Sequence, residues 1–305
     1  MTTVPARAAR MGLKSPAHLG LKSPVHLGLK SQATDCRPCG TPEVDVFDFG
    51  GISVSVVSES RSFLRLVAER YGAFATGEAA GWRLTYRVIG DRVPSPLDLA
   101  VGRQEPIRSR RDGRRLAIET ASFRLDLDHD RSSAEINGPL ATYPVDRLIQ
   151  VLAYESWRRG LIVHGAALAD GGRGWLASGP SGSGKSTLAA LFPERSLCDE
   201  FTALRLDGGR PRLAALPFWN SRRGGAPLCG IYLLKHGRSD RRMRLPTGEA
   251  FRRLRREVLW PTFDPKALER AFDTLGELLD RVPVWELAFR PRRDVWRVIR
   301  REAGR

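Results

Sequence analysis

The residues from Gly179 to Ser186 could bind the phosphates of a nucleotide, because they fit the pattern G-x-x-x-x-G-K-[ST]. Glycines in such a loop let the backbone curl so that its N–H groups point at a phosphate. Lys185 would reach the β- and γ-phosphate oxygens of ATP, and the Ser186 hydroxyl would hold Mg²⁺. The predicted nucleotide-binding residues are Gly179, Pro180, Ser181, Gly182, Ser183, Gly184, Lys185, Ser186 and Thr187.

The lysine of this pattern is informative because lysine is rare in the chain. The 305 residues include 44 arginines but only six lysines, and three of the lysines lie in a repeat near the N-terminus. A lysine at the one position where the motif requires it favours a phosphate-binding loop over a glycine-rich structural turn.

Two adjacent carboxylates, Asp199 and Glu200, end a short apolar segment 13 and 14 residues after Ser186. In a parallel sheet the ends of neighbouring strands converge on the ligand, so we expect both acids to face the phosphate loop. There they would coordinate Mg²⁺ and supply a general base. The alternative is a solvated acidic turn.

Arg222 and Arg223 lie in a glycine-bearing loop further along the chain. Guanidinium groups neutralise the oxygens of a transferring phosphoryl group, and these two arginines could serve that purpose. The alternative is an ordinary exposed pair, because arginine is so common here.

The segments around the loop predict the strand–loop–helix order that a phosphate-binding motif requires. Residues 174–178 are typical of a buried strand, and residues 186–192 of a helix that Pro193 ends. Other strands are predicted at 161–169, 196–200, 201–206, 213–218, 230–234 and 284–289, and helices at 144–159, 248–259, 264–279 and 294–302. Residues 144–305 are therefore predicted to form an α/β domain.

Residues 41–143 are predicted to form a separate, strand-rich α+β region. Alternating apolar positions predict a hairpin over residues 44–57, with the turn at Gly50 and Gly51. A helix is expected over 62–71, and strands over 82–89, 116–118 and 123–127. The basic stretch 108–115 is most simply an exposed turn, although it could contact a polyanion.

Residues 1–40 are predicted to be a disordered tail or, alternatively, the product of a mis-assigned start. They contain a period-eight repeat with a proline in each full unit, which cannot build a core. His18 and His26 could bind a metal, but solvated repeat residues are the simpler interpretation. Cys36 and Cys39 form a lone C-x-x-C without a second pair at zinc spacing.

Composition narrows the classes of protein to consider. No apolar run approaches the roughly 20 residues that span a bilayer, and no secretory signal is evident. With four cysteines, a disulfide scaffold is not indicated, and we expect a cytoplasmic protein. The net charge of +16 is compatible with nucleic-acid contact but does not favour it, because arginines are spread along the whole chain.

The pair His164-Gly165, the glycine loop and the pair Asp199-Glu200 together resemble the HPr kinase/phosphorylase family. The resemblance extends over residues 160–305 and is closer to HPr-kinase-related proteins and to the peptide kinases of lasso-peptide pathways. It implies that Asp199 takes the proton of the attacking hydroxyl, that Glu200 helps to hold Mg²⁺ and that His164 tunes or shares the proton. Glu200 departs from the family, where the second acid is usually aspartate.

The leading hypothesis is an ATP- and Mg²⁺-dependent kinase acting on a serine or threonine hydroxyl of a protein or peptide. The predicted catalytic residues are Asp199, His164 and Lys185, and the predicted metal ligands are Ser186, Glu200 and Asp199. A nucleotide-binding regulator that contacts nucleic acid and a small-molecule kinase are the alternatives. A homo-oligomer is compatible with the sequence.

Overall fold

The structure is a computed structural model that describes residues 45–90, 94–95, 105–218 and 220–301. The described chain is a mixed α/β protein with two large sheets, in which strands predominate. The predicted tail, the histidine and cysteine pairs within it, and Trp219 lie outside the described residues.

The first sheet has eight strands in the order β3-β1-β2-β4-β8-β7-β6-β5. Its strands are β1 (Val46–Asp48), β2 (Ser53–Val57), β3 (Ala75–Thr76), β4 (Trp82–Val88), β5 (Arg108–Asp112), β6 (Arg115–Glu119), β7 (Arg124–Asp128) and β8 (Ser133–Gly138). The predicted hairpin is confirmed, since β1 and β2 pair antiparallel. Gly50 and Gly51 supply its turn with φ angles of 73° and 90°, which favour glycine.

The predicted turn at residues 108–115 is wrong. Arg108 to Asp112 form an edge strand that pairs antiparallel with β6, and the turn is confined to the two residues between these strands. The alternation of Leu116 and Ile118 indicated β6, but the arginine-rich partner strand carries no apolar signal. Pairing with β6 therefore holds β5 in an extended conformation, because the side chains of β5 are mostly exposed.

The predicted helix at 62–71 is confirmed as α1 (Arg61–Tyr71), which packs against this sheet through Phe63 and Tyr86. The Ser60 side chain caps its first turn by accepting a hydrogen bond from the N–H of Phe63. Phe63, Val67 and Tyr71 recur at intervals of four residues and are buried on one face.

The second sheet is built around two long strands, β9 (Gly160–Asp170) and β14 (Gly225–His236). Its other strands are β10 (Arg173–Ser178), β11 (Ser196–Cys198), β12 (Phe201–Asp207), β13 (Arg210–Ala215), β15 (Arg241–Arg244) and β16 (Val284–Phe289). Successive pairings of β10, β9, β12, β13 and β14 return to β10 and close a ring. The nearly continuous burial of β9 is typical of a strand covered on both faces.

The expectation of a parallel sheet around the loop is only partly correct. Strands β10, β14 and β16 run parallel to one another, but β9 runs antiparallel to β10, β11 and β12. The two carboxylates therefore follow a strand that is not a parallel neighbour of β10.

The helices of this half agree with the predicted segments, with shifted ends. They are α2 (Tyr143–Ser156), α3 (Lys185–Leu191), α4 (Thr247–Leu254), α5 (Pro265–Arg281) and α6 (Val295–Ile299). Helix α4 is shorter than predicted because Val258 leaves it to form a bridge with Val163 of β9. Among the described residues, none of the helices combines the length and apolar content needed to cross a bilayer.

One continuous apolar core joins the two sheets. It includes Phe63 and Tyr86 of the first sheet and its helix, together with Leu161 and Leu204 of the second. A smaller cluster around Trp175 and Phe192 packs beneath the phosphate-loop helix. Because both sheets contribute to the larger core, the N-terminal strands support the element that carries the candidate catalytic residues.

Candidate functional site

The predicted phosphate loop connects β10 to α3. Three of its glycines, Gly179, Gly182 and Gly184, have φ angles of 145°, 79° and 102°, which side chains with a Cβ rarely adopt. The N–H of Ser183 donates to the carbonyl of Pro180 across the loop, over 3.1 Å. The confirmed strand and helix thus hold a tightly curled turn between them.

Lys185 is buried under this turn. Its ammonium donates to the carbonyl oxygens of Gly179 and Pro180, at 2.7 and 3.1 Å, and only 6% of the residue is exposed. The cation therefore lies inside the curl of the loop, where it would meet the phosphates of a nucleotide.

The two hydroxyl residues that follow the lysine face solvent. Ser186 and Thr187 are exposed in the first turn of α3, whereas Ser183 is buried and its Oγ has no hydrogen-bond partner among the described residues. Exposed hydroxyls at a phosphate loop fit the role of Mg²⁺ ligands.

Gly165 links the phosphate loop to the two carboxylates. Its Cα is paired with that of Ser178, the last residue of β10, and its N–H donates to the Glu200 carbonyl over 2.8 Å. A Cβ at Gly165 would lie 2.9 Å from the Ala177 carbonyl oxygen, so only glycine fits there. Strands lie about 4.8 Å apart, which places Glu200 about 10 Å from Ser178.

Asp199 occupies the bend between β11 and β12 and is partly buried. The Asn220 side-chain amide donates to its Oδ2 over 3.2 Å. Asn220 has a φ of 51°, a conformation that asparagine tolerates better than most residues. This contact could not be predicted from the sequence, because asparagine in a loop is common.

The negative charge of Glu200 acts on the guanidinium of Arg70 in helix α1. Burial lowers the pKa of Arg70, at the end of α1, but nearby negative charges outweigh burial. The largest of these charges is that of Asp146, that of Glu200 is another, and they hold the pKa above its usual value. Arg70 Nη2 lies 3.5 Å from Asp146 Oδ1. The N-terminal region therefore places a permanent cation near the candidate acids, which its sequence did not reveal.

His164 lies on β9, beside the candidate acids, with its Cα paired with that of Phe201. The imidazole Nδ1 of His164 is 3.4 Å from Oε2 of Glu257. The backbone N–H of His164 donates to the Glu257 carbonyl oxygen over 2.7 Å. The Glu257 side chain is 4% exposed. A carboxylate so deeply buried next to a histidine is a candidate positioning group; the only sequence signal was an acid directly before the apolar run 258–260.

The carboxyl ends of the parallel strands β10, β14 and β16 lie at one edge of the sheet, where ligands bind in α/β proteins. His236, the last residue of β14, has its Nε2 2.8 Å from the Gly182 carbonyl oxygen. Phe289, the last residue of β16, is so close to Gly184 that a Cβ there would lie 3.0 Å from its ring. Two strand ends that the sequence did not single out thus shape the loop.

The structure does not bring Arg222 and Arg223 to the loop. The Arg222 guanidinium donates to the carbonyls of Ser196 and Glu194, and Arg223 pairs with Asp48 and Glu78 of the first sheet. Their proposed role in neutralising phosphate oxygens is therefore not supported, because both guanidinium groups already have structural partners.

A complete protein cage for a metal ion is absent from the described residues, where no three histidine, cysteine or acidic side chains cluster suitably. Mg²⁺ rarely needs such a cage, because it usually takes one or two carboxylates and completes its shell with water and substrate phosphates. The side chains of Ser186, Asp199 and Glu200 are chemically suited to that kind of site.

No protein-family model matches the chain, and a comparison with curated proteins gave no match.

Proposed function

We propose that the chain is an ATP-dependent kinase with an HPr-kinase-like fold, which transfers the γ-phosphoryl group to a serine or threonine hydroxyl of a protein or peptide. The observation that carries this proposal is the link through Gly165, since this residue pairs with the end of the strand that enters the phosphate loop and also bonds to the Asp199–Glu200 bend. Carboxylates near a buried lysine and a glycine loop are the groups that phosphoryl transfer uses.

Each residue has a defined task in this proposal. The loop N–H groups and Lys185 bind the phosphates and stabilise the charge that develops on the leaving oxygen. Asp199 accepts the proton of the acceptor hydroxyl while the hydroxyl oxygen forms a bond to the γ-phosphorus. At the same time, the bond between the γ-phosphorus and the β–γ bridging oxygen breaks. ADP leaves, and the acceptor leaves as a phosphoester.

Four further residues would support these groups. Ser186 and Glu200 would ligate Mg²⁺, which when bound neutralises phosphate charge. Asn220 would orient the Asp199 carboxylate. His164, held by Glu257, would adjust the electrostatics of the acceptor side.

The test is phosphoryl transfer from radiolabelled ATP to a degenerate serine- and threonine-containing peptide library, with Mg²⁺. The Lys185→Ala variant should lose transfer while staying folded, because the ammonium is the only side-chain cation in the loop. Arg252→Ala removes an exposed cation of helix α4 and should retain full activity.

Two outcomes would reject the proposal. Transfer that persists in the Lys185→Ala variant would remove the lysine from the mechanism. Calorimetry in which the wild-type protein binds neither ATP nor GTP with Mg²⁺ would remove the nucleotide. Transfer to sugars or other small molecules, with none to peptides, would instead identify a small-molecule kinase.

A further inference from the structure

A concave site lies away from the phosphate loop, along the seam between the two sheets. It is a cleft of about 980 Å³, formed by the β5–β6 and β7–β8 turns, the end of α2, the β12–β13 turn and the start of α5. Ligand-binding clefts commonly have volumes of about 300–1,000 Å³. Its size therefore suits several residues of a peptide rather than a single inorganic anion.

The cleft is strongly basic. Six cationic side chains line it against two carboxylates, Glu155 and Asp264. The cations are Arg111, Arg114, Arg158, Arg159, Lys266 and Arg270. An excess of four positive charges facing one concavity attracts anionic groups more strongly than the same charges spread over a convex surface.

Several of these cations are engaged with protein groups. Arg111 bridges Glu155 and Asp264, with its Nη2 2.6 and 3.0 Å from their carboxylate oxygens. Arg114 pairs with Asp130 and Arg159 with Glu277, outside the lining. These contacts fix the walls of the cleft and leave part of its charge neutralised.

Two cations remain for a ligand. Arg158 and Lys266 are exposed in the lining of the cleft, Arg158 just after α2 and Lys266 in the first turn of α5. In the described part of the chain neither has a carboxylate partner within ion-pair distance. Arg270 contacts only a carbonyl oxygen, that of Tyr154, at 3.3 Å.

The lining argues against single-stranded nucleic acid as the ligand. Such ligands are bound by stacking their bases on exposed aromatic side chains. The only aromatic ring of phenylalanine, tyrosine or tryptophan in this lining belongs to Trp157, which is 7% exposed. The chain's own first 44 residues are also poor candidates, because they carry six cations and two acids.

The cleft is connected to the candidate catalytic residues by the backbone of two paired strands. Gly160, next to Arg159, pairs with Arg205, and His164 pairs with Phe201 at the other end of this register. Four residue steps along β9 span about 13 Å. An extended peptide bound at both places would need at least about four residues between them.

We propose that this cleft binds an acidic segment of the substrate, at least about four residues from the serine or threonine that is phosphorylated. This inference rests on the proposed kinase activity, since it assigns a recognition site to the acceptor. It predicts that the enzyme selects acceptors by their charge at a distance from the reacting hydroxyl.

The experiment measures peptide binding separately from nucleotide binding. A fluorescein-labelled hexaglutamate peptide is titrated with the full-length protein and followed by fluorescence anisotropy, with hexaglutamine as the uncharged probe. The double variant Arg158→Glu/Lys266→Glu should lower affinity at least about tenfold. Its matched control is Arg252→Glu/Arg256→Glu, which makes the same change of charge at two exposed positions, one in α4 and one just after it. This control should alter affinity by less than about twofold.

Calorimetry with Mg·ATP on the same proteins separates the two proposals. Unchanged ATP binding with loss of hexaglutamate binding in the cleft variant alone supports the acidic-peptide site. Equal loss in both double variants, no binding of hexaglutamate by the wild-type protein, or tighter cleft-dependent binding of an oligonucleotide of equal charge would overturn it. If none of the proteins, wild type included, binds ATP, the kinase proposal fails, whether or not the peptide binds.

Discussion

The ammonium of Lys185 lies 2.7 Å from the carbonyl oxygen of Gly179, the residue that opens its own loop. The loop is therefore held in its curled form by the side chain that we propose binds phosphate. A nucleotide entering the site would replace these carbonyl contacts with phosphate contacts, without rebuilding the backbone. Preorganisation of this kind depends on the glycines that permit the curl.

Gly184→Ala should damage the loop, because φ at this position is 102° and the new Cβ would lie 3.0 Å from the Phe289 ring. We expect the free energy of unfolding to fall by about 1–3 kcal/mol. Mg·ATP affinity should fall at least about tenfold, since the loop N–H groups are displaced. Denaturant unfolding and calorimetry measure the two effects.

The matched control is Gly276→Ala, in helix α5, where no atom lies within 4 Å of the added Cβ. Alanine is preferred to glycine in a helix by about 0.5–1 kcal/mol, so this variant should be more stable than wild type. If the free energy of unfolding and the ATP affinity of Gly184→Ala both equal those of the wild type, the curled loop is not required for binding.

The loop was predictable because its signal is local. Strand, glycines, lysine and helix are consecutive in the chain, so spacing alone defines their arrangement. The expected sheet geometry around Asp199 and Glu200 was only partly correct. Strands β10 and β11 run in the same direction, because both pair antiparallel with β9, but β9 lies between them. The acids therefore come near the loop through the contact of Gly165 with Glu200 and not as the end of an adjacent strand.

Asp199→Asn should lower kcat by about 10²–10⁴-fold, because the amide cannot accept the proton of the acceptor hydroxyl. The Michaelis constant for ATP should change much less. Steady-state kinetics with a peptide from the library measure both constants. Asp280→Asn, which alters an exposed carboxylate of α5, is the control and should leave them unchanged.

Asn220→Ala extends this prediction, because Asn220 donates to Oδ2 of Asp199. Loss of one orienting hydrogen bond should reduce kcat by about tenfold, corresponding to roughly 1.4 kcal/mol. Turnover of the Asp199→Asn variant within about twofold of wild type would show that another group accepts the proton, since general-base loss costs far more.

The partners of these residues could not be predicted because they come from distant parts of the chain. Glu257 reaches His164 across more than 90 residues, and Arg70 lies close enough to Glu200 for its charge to act. Neither has a spacing or pattern that distinguishes it from other charged residues. Arg222 was misassigned for the same reason: its carbonyl partners depend on tertiary packing.

Cys198, directly before the candidate base, should be unreactive in the native protein. Burial raises the pKa of its thiol to about 11, despite a hydrogen bond with Thr202 that opposes the shift. The thiolate is the reactive form, so at pH 8 very little of it is present. Cys229 is partly exposed and should be alkylated much faster by iodoacetamide, as measured by peptide mapping.

The same shift predicts how stability depends on pH. An unfolded cysteine loses its proton near pH 8.5, whereas native Cys198 keeps it until about pH 11. Between these values the native state binds more protons, so stability falls as pH rises, by up to about 1.4 kcal/mol per pH unit. Cys198→Ala should reduce that slope in denaturant unfolding, and an unchanged slope together with rapid alkylation of native Cys198 would contradict its burial.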